Sequence, residues 1–263
     1  MTELIFLGIG AIRPAVPGDH TALFIRRGQA GVLLDAGPGL MAQLQGAGVS
    51  PDEVSHIYFS HQHGDHTLGS LMLLFHHRPR LIAAAPKVLD AWRALLDIAY
   101  PGYAARLIED LTFHPLPVML PHLWPGLPDV TAQIALVHHS HLPAYALRLD
   151  FAPTDGAPAF SLCYSGDTAP TECVTQLAAG VDLLIHEATF LEADKAGGEG
   201  IHSSARAAGI IAQQAGAKSL ALVHRLAGDR EAWRAEAAAA FAGRILVPLA
   251  GERLTLPGDL QSG

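Results

Sequence analysis

The stretch His61-Gln62-His63-Gly64-Asp65-His66 puts three imidazoles and one carboxylate into six residues. These are the nitrogen and oxygen donors that a borderline divalent cation such as zinc accepts. In extended backbone His61 and His63 point to one side, so both can serve one ion. Asp65 and His66 lie past a bend and can serve a second. A lone histidine at a strand end is usually a surface or hydrogen-bonded residue; this density of donors in one short window points to metal.

Three further polar groups stand at the ends of apolar runs. His138-His139-Ser140-His141 follows Val130–Val137, Asp167 lies in Tyr164-Ser165-Gly166-Asp167-Thr168, and His224 follows Leu220-Ala221-Leu222-Val223. Donors delivered from several strand ends can meet only if the fold brings those ends to one place, so the surrounding elements decide the chemistry.

The apolar, β-branched segment from Val54 to Ser60 predicts a strand before the histidine turn, and Thr67 to Phe75 predicts a helix after it. Strands are expected over 4–7, 21–26, 32–35, 81–85, 130–137, 145–151, 160–164, 183–186, 220–223 and 245–249. Helices are expected over 40–46, 88–99 (with Pro86 suited to its first turn), 171–179, 203–215 and 229–242. The proline-rich 100–129 reads as loops, a candidate lid over a site. No Ser/Gly-rich linker divides the chain, so one domain over 1–263 is expected. The pattern suggests an α/β fold, a four-layer αββα sandwich of two mixed sheets flanked by helices, although periodicity alone does not choose it over other layered folds.

Composition narrows the partners. The 263 residues are 50% hydrophobic and 16% charged, enough apolar content for one large core. The formal net charge is −8, and lysine occurs only as Lys87, Lys195 and Lys218. An extended nucleic-acid surface usually carries a basic stripe, and none is visible; a small phosphate ester in a metal site is still compatible. Two cysteines, Cys163 and Cys173, are too few for a disulfide framework and suggest reduced thiols. No apolar run approaches the length needed to span a bilayer, and the start of the chain reads directly into a strand. A cytoplasmic protein without membrane contact is the expectation.

Taken together, the motifs resemble the metallo-β-lactamase superfamily, and within it the ribonuclease Z and phosphodiesterase branch. The matching pieces run along nearly the whole chain: Leu7-Gly8-Ile9-Gly10, Leu34-Asp35-Ala36-Gly37-Pro38-Gly39, the histidine turn, Pro143-Ala144-Tyr145-Ala146-Leu147-Arg148, Ser165-Gly166-Asp167-Thr168, His186-Glu187-Ala188-Thr189-Phe190, His202-Ser203-Ser204-Ala205 and Leu222-Val223-His224. The histidine turn belongs to the whole superfamily. The His-Glu-Ala-Thr and His-Ser-Ser-Ala pieces are more specific to the ribonuclease Z-like branch.

The resemblance implies two Zn2+ ions, with Mn2+ or Fe2+ as alternatives. It implies that His61, His63 and a histidine of the second cluster hold one, that Asp65, His66 and His224 hold the other, and that Asp167 bridges. His139 is taken as the second-cluster ligand because of its spacing from Pro143-Ala144-Tyr145. His138 should face the other side of its strand, and His141 could line the site. The implied reaction is hydrolysis by a metal-bridging hydroxide, with Asp65 orienting it and His202 facing the substrate, as stabiliser of the transferred group or as proton donor. Without the resemblance, His202 is equally a surface histidine at a helix start.

Asp35 could accept an N–H from a metal-binding imidazole or simply form the turn before Gly37. His186 and Glu187 could buttress His202 or Asp167, or merely end a strand. His20, on a loop before a strand, could reach the site, whereas His56, His76 and His77 lack the spacing to join it. The resemblance also suggests a homodimer.

A phosphodiesterase is the leading reading, acting on a small phosphodiester or another ester. A lactonase, thioesterase, arylsulfatase or β-lactamase-like enzyme would use the same centre on a different bond. tRNA 3′ processing is less expected, because enzymes of that kind usually carry a basic Gly/Pro-rich arm and the 115–128 segment has no Lys or Arg. A non-catalytic metal-binding protein would be betrayed by a missing ligand, and none is missing.

Overall fold

Most strands of this chain are continuous apolar runs, the pattern of strands buried on both faces. In the computed structural model, which describes residues 2–16, 18–154, 158–194 and 200–261, they form two seven-stranded mixed sheets. The first sheet comprises β1 (Thr2–Gly8), β2 (Ala22–Arg27), β3 (Ala30–Leu34), β4 (His56–Tyr58), β5 (Leu81–Ala84) and β6 (Thr112–Pro115), with a final strand from the chain's end. The second comprises β7 (His122–Trp124), β8 (Leu127–Val137), β9 (Ala144–Phe151), β10 (Phe160–Tyr164), β11 (Leu183–Glu187), β12 (Ser219–Val223) and β13 (Arg244–Leu246). That final strand, β14 (Arg253–Leu256), pairs antiparallel with β1.

Side-chain alternation explains why the sheets are buried twice. Ala221 and Val223 of β12 enter the main apolar cluster between the sheets, while Leu220 and Leu222 enter a second cluster. Leu183 and Ile185 of β11 likewise face inward, with Leu184 on the other side. That second cluster lies under helices α5 (Glu172–Leu177), α6 (Ala205–Ala215) and α7 (Arg230–Ala238). On the first sheet, α1 (Leu40–Gly46), α2 (Gly64–His76) and α3 (Pro86–Ala99) form the outer layer, with Trp92 of α3 stacked on Phe59 at 5.9 Å. The αββα sandwich expected from the sequence is therefore the architecture observed.

Strand direction positions the site. β3 and β4 are parallel, as are β10, β11 and β12. β8 pairs antiparallel with β9, which pairs antiparallel with β10, so β8 runs with them. The carboxyl ends of all these strands consequently lie along one rim of their sheets. Polar links join the sheets, among them the hydroxyl of Tyr58 donating to the carbonyl of Tyr145 at 2.9 Å and Arg27 pairing with Asp129.

Two expectations are corrected. The 100–129 segment is no lid: it holds the short helix α4 (Ala104–Leu107) and the edge strand of each sheet, β6 and β7. Prolines concealed this because an edge strand can spare a backbone donor. The residues after 249, for which the sequence predicts no element, supply β14 and a last helical turn, α8 (Gly258–Gln261). Among the described residues, no helix is long and apolar enough to cross a membrane.

The helix after the histidine turn is seated by a close backbone approach. A Cβ at Gly69 would run into the carbonyl oxygen of Gly37 and the side chain of Leu40. Gly69→Ala is therefore expected to destabilise the protein by about 1–3 kcal/mol through overpacking, read as a lower urea midpoint; an unchanged midpoint would show that α1 and α2 do not meet this closely.

Candidate metal centre

β4 ends at Tyr58, and the chain leaves the sheet through a bend at Ser60 before His63 starts α2 as its N-cap. The helix then turns Asp65 and His66 back to the same point. His139 follows β8, Asp167 follows β10 and His224 follows β12. The fold thus brings together every residue for which the sequence suggested a ligand role, in two groups. His61, His63 and His139 form one; Asp65, His66, Asp167 and His224 form the other, and within each group the candidate ligand atoms lie within 4.8 Å of one another.

Asp167 stands between the groups. Its Oδ2 is 3.2 Å from His224 Nε2 and 3.3 Å from His66 Nε2 on one side. On the other it is 3.8 Å from His61 Nε2 and 3.9 Å from His139 Nε2. Asp65 Oδ2 lies 3.5 Å from His224 Nε2 and 3.7 Å from His66 Nε2. His63 presents Nδ1, which sits 3.0 Å from His139 Nε2.

The other nitrogen of most of these rings is held by a fixed partner. His66 Nδ1 donates to Asp35 Oδ2 at 2.8 Å. His61 Nδ1 meets Ser60 Oγ at 3.0 Å, and that hydroxyl donates to Asp35 Oδ2 at 2.6 Å. His139 Nδ1 donates to the carbonyl of Ile201 at 2.8 Å. His224 Nδ1 donates to Thr189 Oγ1 at 2.9 Å, which donates to Glu187 Oε2 at 2.6 Å. A ring tied at one nitrogen turns the lone pair of the other inward, the arrangement metal-binding histidines use.

The donor set fits divalent cations. His61 Nε2, His66 Nε2, His224 Nε2 and Asp167 Oδ1 are buried and have no hydrogen-bond partner, a costly state for polar atoms that no ligand satisfies. The charge balance agrees. Burial alone would lower the basicity of His66, but Asp167 and Asp35 outweigh it and raise its pKa well above the ordinary value. For Asp167 burial acts in the opposite sense, and the surrounding imidazoles, His224 first, hold its pKa well below the usual carboxylate range. For His61 and His63 burial prevails and lowers the pKa, which favours the uncharged imidazole that a cation requires.

His202 stands at the rim, its side chain 15% exposed, with Nδ1 2.9 Å from Glu187 Oε1. Burial disfavours its protonated form, yet the Glu187 charge and hydrogen bond prevail and push its pKa up to about 9. Glu187 is fully buried and also accepts the backbone N–H groups of Thr168 (2.6 Å) and Ser203 (3.1 Å). Ser204 caps α6 by accepting from Ala207 N at 3.1 Å, so the chain after His202 is fixed.

The structure separates the readings that the sequence left open. His139 is buried in the cluster, while His138 and His141 are exposed and belong to neither donor group. Asp35 is no mere turn former, since it supports His66. Glu187 buttresses His202, whereas the neighbouring His186 donates to the Glu187 carbonyl at 2.7 Å and stays outside the donor groups. His20 lies close enough to feel the charges of Asp65 and His66. Sequence reading missed the supports Ser60, Thr189 and Tyr164. Ser60 and Thr189 had a signal, each lying beside a motif residue; Tyr164, whose hydroxyl donates to Asp35 Oδ2 at 2.7 Å from the opposite sheet, had none.

Comparison with known proteins finds relatives along nearly the whole chain. The family model described as "Beta-lactamase superfamily domain" matches residues 31–225. A protein named Ribonuclease Z from Halorubrum lacusprofundi is 30% identical, with 97% of each chain covered. Among solved structures, the metallo-beta-lactamase fold protein YhfI from Bacillus subtilis superposes with a TM-score of 0.79 at 21% identity, covering 96% of this chain and 98% of that one. The short form of human tRNase Z gives 0.75 at 22% identity, covering 97% and 99%.

Asp35→Asn exchanges one acceptor oxygen for a donor, so one of the four hydrogen bonds at this carboxylate must be lost. Metal affinity is expected to fall about 10–100-fold, measured by chelator competition; undiminished affinity would remove Asp35 from the support of His66. Tyr164→Phe removes only the cross-sheet hydrogen bond and should cost about 1.5–3 kcal/mol of stability in denaturant unfolding.

Proposed function

The chain belongs to the beta-lactamase superfamily, and on that premise we propose that it is a dinuclear metal-dependent hydrolase of phosphodiester bonds. The observation that carries this reading is the pairing of two donor groups through Asp167 with His202 held above them by Glu187. In this reading His61, His63 and His139 hold one cation, Asp65, His66 and His224 the other, and Asp167 is shared. Zinc suits the nitrogen-rich first group, and manganese or iron(II) suits the same donors by ligand type. Two such cations, when bound, supply Lewis acidity and a water that ionises near neutral pH.

The chain's own residues do the rest. Asp65 accepts a hydrogen bond from the attacking water and orients it. Asp35, Ser60, Thr189 and the Ile201 carbonyl hold the imidazoles at fixed angles, so little reorganisation is needed during the reaction. His202, tied at Nδ1, keeps Nε2 to donate to the departing oxygen. Glu187 positions His202 directly and His224 through Thr189, so one carboxylate couples the proton donor to a ligand.

The phosphodiester assignment draws on the curated relatives named Ribonuclease Z, whose identity with this chain extends along almost its full length. Substrate reach is a separate matter. The 115–128 segment contains no Lys or Arg and links the edge strands β6 and β7 to β8, and the chain's net charge is −8. We therefore take a small phosphodiester in preference to a folded RNA. The cytoplasm suits its two thiols, one buried and one exposed, neither paired.

A substrate panel tests the reading: bis(p-nitrophenyl) phosphate should be hydrolysed, a 3′-extended tRNA precursor should be cut poorly, and lactone, aryl sulfate and β-lactam should survive. Lactone turnover with an intact phosphodiester would overturn the assignment. His202→Ala should lower kcat by about 10²–10⁴-fold with metal content unchanged by elemental analysis; metal loss would instead make His202 a ligand.

A further inference from the structure

Two histidines outside the centre share an unusual environment. His114 lies on β6, the last strand of the first sheet, and His122 on β7, the last strand of the second. Their ring centroids are 5.7 Å apart with an interplanar angle of 34°. The Nε2 atoms of both rings are buried, and neither has a hydrogen-bond partner. Two orphaned imidazole nitrogens on neighbouring rings, each ring on a different sheet, can be satisfied by one shared ligand.

The chemistry of that ligand follows from the nitrogens. His122 Nδ1 lies 3.3 Å from the carbonyl of Leu120; the N–H must sit there, because a carbonyl can only accept. In the uncharged ring this leaves Nε2 with its lone pair. A ring tied through one nitrogen to a backbone carbonyl and bare at the other is the posture of a metal-binding histidine. Burial, then the proximity of His122, lowers the pKa of His114, which favours the uncharged ring that a cation requires. Spacing agrees: with metal–nitrogen bonds of about 2.0–2.1 Å, two imidazoles on one tetrahedral ion have ring centres about 5 Å apart. In the main centre the His61–His63 and His63–His139 centroids are 4.7 and 4.9 Å apart.

We propose that His114 and His122 form a second cation site, separate from the dinuclear centre, that binds one zinc ion and fastens the edge of one sheet to the edge of the other. Water entering with the ion would complete the coordination. The two strands are joined by the short crossing 116–121, so the ion closes a small loop at the open side of the sandwich. Binding to the folded state alone raises its stability by mass action.

The test uses the full chain already holding two equivalents of zinc. Further ZnCl2 is titrated by calorimetry, and the melting temperature is followed in parallel. One additional equivalent is expected, with a rise in melting temperature. Both effects should vanish in His114→Ala and, independently, in His122→Ala, and persist in the double variant His76→Ala/His77→Ala. His114→Asn and His122→Asn, which keep a polar side chain, guard against a folding defect, with far-UV circular dichroism as the check. The proposal is overturned if no additional equivalent binds, as when a water alone bridges the rings. It is equally overturned if the additional equivalent survives in the His114 and His122 variants.

Discussion

The buried carboxylate of Asp35 is the interaction on which the rest of this structure depends. It is fully removed from solvent, and an uncompensated charge there would be prohibitive. It is compensated by four donors: Ser60 N at 2.8 Å, Ser60 Oγ at 2.6 Å, His66 Nδ1 at 2.8 Å and Tyr164 OH at 2.7 Å. The first three belong to the segment around the histidine turn, and the fourth comes from the other sheet. A single charge therefore fixes the turn, orients two imidazoles and draws the sheets together where the donor groups must meet. Asp35 adopts a positive φ of 57°, a conformation that Asp tolerates better than most residues and that persists when its surroundings over-determine it.

Glu187 is the counterpart on the second sheet. It too is fully buried and takes donors from Thr168, Thr189, His202 and Ser203. The two carboxylates divide the work. Asp35 serves His61 and His66 from the first sheet, and Glu187 serves His224 and His202 from the second. Asp167 lies between, reached by imidazoles of both. Because each support is itself satisfied by several bonds, displacement of one ring disturbs a network and not a single contact. His224, with φ 53°, is a second strained residue in the same network.

Much of this was legible in the sequence, for identifiable reasons. Three histidines and an aspartate in six residues form a local pattern, and local patterns survive without coordinates. The doubly buried strands β11 and β12 announce themselves as apolar runs, so the sandwich could be anticipated. The 100–129 segment misled because edge strands are short, tolerate proline and bury only one face. β14 was missed for a similar reason: a few residues near the chain's end become a strand only because β1 offers an unpaired edge. Tyr164 reads as one more apolar-strand residue until its hydroxyl is seen reaching the opposite sheet.

The sequence by itself determined the kinds of donor, their order and their placement after apolar runs, because covalent order and the strand's alternation are local properties. It also carried the family, since motifs spread along the chain match at fixed order. Only the tertiary structure decided that His139, not His138 or His141, joins the cluster, that Asp167 lies between the two groups, and that Asp35 and Glu187 hold rings from two different sheets. Those outcomes depend on strand direction and on the packing of one sheet against the other, which relate residues more than a hundred positions apart (Asp35 and Tyr164 are separated by 129). No local rule relates such residues; the demand that buried charge be met by hydrogen bonds does.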